Sequence, residues 1–141
     1  MNYYFEVAMK EAIKSLKSND VPVGAVIVKD NKIIAKGHNE RLKKNSAEKH
    51  AEILTIIKAC KKLKNWNLND CEMYVTLKPC SMCESFINNA RISKVYYLLE
   101  KPVTKCEFKS NYHKIQTNVC TEIMEKYQKI FTDFFKKLRN K

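Results

Sequence analysis

The segment Glu72-Met73-Tyr74-Val75-Thr76-Leu77-Lys78-Pro79-Cys80-Ser81-Met82-Cys83 decides the fold. Its first half is apolar and β-branched, as a buried strand requires. Pro79 stands where a helix can begin, and Cys80 to Arg91 continues as that helix. Ile92-Ser93-Lys94 then leads into a further strand, Val95-Tyr96-Tyr97-Leu98-Leu99. Upstream, Ile53, Ile56, Ile57, Cys60 and Leu63 recur at helical spacing from His50 onward, and Asn65 to Asp70 reads as a turn. His38 to Lys49 is polar and irregular, a loop. Before it, Val23-Gly24-Ala25-Val26-Ile27-Val28 and Lys32-Ile33-Ile34-Ala35-Lys36 flank Asp30-Asn31 as a β-hairpin. Residues 2–17 have helical periodicity through Phe5, Ala8, Ala12 and Leu16. Pro102 to Asn118 carries no legible pattern, and an amphipathic helix over about 119–138 closes the chain. Strands separated by helices after an opening hairpin predict one domain, residues 1–141, with three α/β/α layers around a central mixed sheet.

With 141 residues, 45% hydrophobic and 30% charged, the chain has the composition of a soluble globular domain. No apolar run approaches the ~20 residues of a membrane helix. The stretch Met1 to Val7 lacks the basic-then-apolar layout of a secretory signal, so the expected location is the cytoplasm. Gly24 and Gly37 are the only glycines, and both sit at strand margins, which excludes glycine-rich nucleotide-binding loops. Twenty-seven Lys and Arg against fifteen Asp and Glu leave a net charge of +12, which favours polyanionic partners. Three arginines among those cations argue against dense base reading. In a reducing compartment the six cysteines are not a disulfide framework. Cys60 and Cys71 read as buried thiols, and Cys106 and Cys120 carry no pattern, whereas Cys80 and Cys83 have metal-ligand spacing.

His50, Cys80 and Cys83 together offer one imidazole and two thiolates to a zinc ion. Three protein ligands leave a fourth position for water, the arrangement of a catalytic site. Glu52, two residues from His50, is placed to move protons beside it. His38, His113 or another cysteine could close the site structurally, but nothing in their spacing recommends them. The pair H-x-E and P-C-x-x-C is the recognised signature of zinc nucleobase deaminases, so that assignment comes by matching the pattern.

With these residues in place, the sequence resembles the bacterial tRNA-specific adenosine deaminases, within the cytidine deaminase-like superfamily. Val21-Pro22-Val23-Gly24-Ala25-Val26 resembles the family's V-P-V-G-A-V, Gly37-His38-Asn39 its G-x-N, and His50-Ala51-Glu52-Ile53 its H-A-E-I. Tyr74 to Cys83 resembles Y-V-T-L-E-P-C-x-M-C, and the similarity runs from residue 3 to 97. The resemblance implies a cytidine deaminase-like fold and one zinc ion per chain. It also implies a homodimer acting on a flipped-out adenosine at wobble position 34 in the tRNA anticodon stem-loop. In that family the residue matching Asn39 contacts the nucleoside, those matching Val23 and Leu77 line the base pocket, and backbone at Ala51 and Cys80 helps hold the base. Three departures stand out. Lys78 replaces a Glu, Glu84-Ser85-Phe86-Ile87 replaces a small-residue segment, and Leu98 to Val103 replaces a loop that touches tRNA. These departures keep two alternatives open: a free-base or nucleoside deaminase acting on guanine, cytosine or cytidine, and a non-catalytic zinc-stabilised RNA-binding module.

Overall fold

The computed structural model describes residues 2–100, 112–114 and 121–139. Helix α1 (Asn2–Ser15) and a 3₁₀ turn (Leu16–Ser18) lead into β1 (Gly24–Lys29) and β2 (Lys32–His38). A one-turn helix α2 (Arg41–Lys44) and α3 (Ala51–Leu63) follow, then β3 (Glu72–Leu77), α4 (Ser81–Asn89) and β4 (Lys94–Leu99). A short β5 (Tyr112–Lys114) and α5 (Thr121–Arg139) complete the order. The strands form one sheet in the order β2-β1-β3-β4-β5. Its β2-β1-β3 half is antiparallel and its β3-β4-β5 half is parallel, so the sheet is mixed as expected.

Asp30 and Asn31 both take positive φ, 50° and 61°, which gives the turn a twist matching the strands it joins. Alternation along the strands sorts the two faces. Val26 is opposite Tyr74, which meets Phe5 edge-on and packs against Tyr4, so these positions face α1. Gly24 lies on that same face and is there because nothing larger fits: a Cβ would lie 1.9 Å from the Ala8 carbonyl oxygen. Ala25 pairs with Gly37, where a Cβ would lie 2.6 Å from Thr55 Oγ1, so the opposite face meets α3. Helix α1 packs with α5 and α3 packs with α4, which gives the expected layers. Phe5, Val26, Ile27, Ile56, Met73 and Val75 are fully buried between them. Tyr127 of α5, also fully buried, donates its hydroxyl to the Pro22 carbonyl at 2.6 Å.

Two local expectations change. The segment 38–49 is not wholly irregular, because Asp20 Oδ1 accepts the Leu42 N–H at 2.8 Å and so caps α2. The illegible stretch 102–118 contains β5, which pairs parallel to β4. Cys71 is buried as expected, but Cys60 is only partly so, its Sγ lying 3.8 Å from the Trp66 carbonyl. Cys106, Cys120 and the Lys101 to Val103 part of the altered loop lie outside the described residues.

Candidate metal centre and active site

Helices α3 and α4 bring their N-termini to one place. His50 precedes α3 and Cys80 precedes α4, both in extended backbone, with φ,ψ of −79°,149° and −74°,172°. His50 Nδ1 lies 3.3 Å from Cys83 Sγ and 3.7 Å from Cys80 Sγ. Among the described residues these three form the metal-competent cluster, their donor atoms all within 4.8 Å of one another. The sequence separations of 30 and 33 residues are closed by the β3 strand running between the two helices. A hydrogen bond from Cys83, aided by His50 against the effect of burial, holds the Cys80 thiol down to about 3. Cys83, donating that bond in a buried position beside Glu52, is pushed up. A bound cation would favour the thiolate form of both sulfurs.

Glu52 projects from the first turn of α3 and is 3% exposed. Burial raises its pKa, and its Oε1 has no hydrogen-bond partner among the described residues. Carboxylate oxygens are seldom left buried and unpaired, and Glu52 lines the cavity that His50 and Cys80 also line. That cavity, about 60 Å³, has Val23 and Leu77 as apolar wall and Asn39 as polar wall. Val21, Arg41 and Lys78 also line it, and the sequence reading did not assign them there. Arg41 reaches the cavity through α2, whose single turn leaves no periodic signal.

The structure places all the expected residues together, but with further duties. Asn39 Oδ1 accepts the Ala51 N–H at 2.8 Å, and its Nδ2 donates to the Val21 carbonyl at 3.0 Å. It therefore caps α3 and fixes the cavity wall. The Ala51 carbonyl accepts the Thr55 hydroxyl at 2.6 Å, so the expected backbone role of Ala51 meets two existing commitments. His38 is no ligand, since its ring nitrogens face Glu11 at 3.2 Å and Glu40 at 3.4 Å.

The MafB19-like deaminase family profile matches residues 1–139. The tRNA-specific adenosine deaminase of Aquifex aeolicus is 37% identical over 155 residues, an alignment covering 98% of this chain and 95% of that one. The chain belongs to the tRNA-specific adenosine deaminase family. Among solved structures, a tRNA A34 deaminase studied for A-to-I editing at the wobble position matches with a TM-score of 0.73. It is 32% identical and covers 80% of this chain and 97% of its own. Guanine deaminase from Bacillus subtilis matches with a TM-score of 0.66 at 29% identity, covering 93% of each chain. Solved structures similar to this chain thus include deaminases whose named substrates differ. Lys78 has a counter-ion in this structure: its Nζ lies 3.3 Å from Glu100 Oε1 and 6.0 Å from the Tyr97 ring centre.

Proposed function

We propose that this protein hydrolyses the 6-amino group of adenosine to give inosine at wobble position 34 of tRNA, acting on the anticodon stem-loop. The observation that carries the reading is Glu52, a buried carboxylate lining the cavity with His50 and Cys80, one oxygen of which is unpaired among the described residues. Zinc, one ion per chain, is the metal His50, Cys80 and Cys83 would hold. Tetrahedral zinc bonded to nitrogen and sulfur at ~2.1–2.3 Å sets its donors about 3.6 Å apart. The observed 3.3 and 3.7 Å fit that, and an imidazole with two thiolates is a zinc donor set. Bound there, zinc would make water acidic enough to serve as nucleophile at neutral pH. Glu52 takes a proton from the attacking water and delivers it to the ring nitrogen beside the reacting carbon; it then takes the second proton, from the hydroxyl now on that carbon, and passes it to the amino group, which leaves as ammonia. Its raised proton affinity suits a group that must hold a proton between those steps. Val23 and Leu77 flank the base, while Asn39 offers the nucleoside its remaining amide proton.

The charge of +12 supports a nucleic-acid substrate. Met82 and Phe86, four apart on α4, and Ile57 on the adjoining α3 are large apolar side chains left exposed, which supports a homodimer. Among the described residues no helix is long and apolar enough to cross a membrane, and we infer a cytoplasmic enzyme acting as one domain over residues 1–141. Mass spectrometry of an A34 anticodon stem-loop after incubation tests the reading: a gain of one mass unit is expected, and none, with zinc bound, sinks it. The likeness to guanine deaminase favours a second reading, deamination of a free purine base. Guanine turnover without RNA affinity would establish that one instead.

A further inference from the structure

Lys78 is a cation built into the wall of the catalytic cavity, two residues before the ligand Cys80. Its backbone N–H donates to the Leu99 carbonyl at 2.8 Å, which prolongs the parallel pairing of β3 with β4. Lys78 and Glu100 therefore stand just past the carboxyl ends of two adjacent parallel strands. That edge of an α/β sheet is where ligands bind. Both side chains keep contact with water, at 27% and 44% exposure, so the ion pair is weak and exchangeable.

We propose that Lys78 is a specificity residue that binds a backbone phosphate next to the target nucleoside, and that Glu100 holds its ammonium in position until that phosphate arrives. The proposal rests on the polynucleotide reading of the site. A flipped nucleotide brings its flanking phosphates to the cavity mouth, because the base alone enters. A carboxylate carries one negative charge, as a phosphodiester does, so exchanging Glu100 for phosphate leaves Lys78 neutralised throughout. The Tyr97 ring, 6.0 Å from the ammonium, offers it a weak cation–π contact. The exchange also predicts opposite signs for the two partners. Losing Lys78 removes a phosphate ligand, whereas losing the charge of Glu100 removes a competitor of the phosphate.

The test compares wild type, Lys78→Met and Glu100→Gln, each loaded with zinc, on an A34 anticodon stem-loop. Dissociation constants are measured over a series of salt concentrations, together with kcat and KM for inosine formation. Lys78→Met should weaken RNA binding about three- to tenfold and flatten the plot of log affinity against log salt by about 0.7–0.9. The loss should fall on KM more than on kcat. Glu100→Gln should tighten RNA binding severalfold. A Lys78→Met slope equal to wild type overturns the proposal, as does a Glu100→Gln that weakens binding as Lys78→Met does, since the pair would then be structural. The binding arm decides this whatever the chemistry: wild type that binds RNA but makes no inosine overturns the deaminase reading alone.

Discussion

His50 and Cys80 each stand one residue before a helix in extended backbone, but different forces hold them there. Cys80 is fixed by its neighbours in sequence. Strand β3 runs directly into it, Pro79 is buried, Lys78 extends the ladder to β4, and the Cys80 carbonyl accepts the Glu84 N–H at 2.8 Å. His50 is fixed from a distance. The start of α3 is capped by Asn39, whose side chain is anchored on Val21. The Asn39 backbone in turn donates to the Val23 carbonyl at 3.1 Å and accepts the Ser15 hydroxyl at 2.9 Å. The thiolate half of the candidate metal site is thus local and sturdy, and the imidazole half depends on three other stretches of chain, at Ser15, Val21 to Val23 and Asn39. Damage to α1 or to the approach to β1 should reach the metal through His50.

The largest effect should come from the sturdy half itself. Cys83→Ala removes a ligand, so elemental analysis should find the zinc lost, and inosine formation should disappear with it. A chelator should do the same to wild type and lower its melting temperature, because the metal's binding energy is also folding energy. Glu52→Gln separates chemistry from architecture. It should cost about 10²–10⁴ in kcat while zinc content and melting temperature hold, since the amide replaces a carboxylate that burial already disfavours. Normal turnover in this variant would remove Glu52 from the reaction.

Asn39→Ala probes the dependent half. It leaves the Ala51 N–H uncapped in a buried position, which should cost about 1–3 kcal/mol of stability and weaken zinc retention under competition with a chelator. If zinc is held as firmly as in wild type, His50 needs no help from Asn39 and the contrast between the halves collapses. The smallest effect lies furthest upstream, at Glu11. Burial would raise its pKa, but hydrogen bonds and charge from Lys14 and His38 outweigh that and hold it below its ordinary 4.5. A carboxylate depressed in the folded state contributes stability that is complete above its unfolded value and is lost as pH falls through the folded one. Wild type should therefore lose stability on acidification below about pH 4.5 more steeply than Glu11→Gln, with a gap at neutral pH of about 1 kcal/mol. Parallel pH curves would show that the Glu11–His38 pair does not support the strand leading to Asn39.

What could be read from the chain beforehand was what local pattern encodes. The Asp30-Asn31 turn, the periodicity of α1, α3 and α5, and the pairing of His50 with Cys80 and Cys83 all announce themselves within a few residues or through a known motif. Helix α2 does not, because four residues cannot display a period and its cap, Asp20, lies 22 residues away. Strand β5 is three residues long and exists through its neighbour β4. The Glu100 counter-ion of Lys78 was hidden for the same reason: it joins the ends of two strands that become adjacent only when the sheet forms. Asn39 was expected to serve the substrate, and its second duty as helix cap depends on the meeting of segments no pattern connects.

The hydrogen bond from Tyr127 to the Pro22 carbonyl joins residues 105 positions apart, at the segment whose Val21 and Val23 wall the cavity. During synthesis the β2-β1-β3 half of the sheet emerges from the ribosome long before Tyr127 does. The candidate metal ligands can therefore be present on a nascent chain whose pocket wall is still unbraced, and the pocket is completed only when α5 has emerged. Activity should thus switch on late and abruptly as the polypeptide lengthens, not in proportion to the number of residues made.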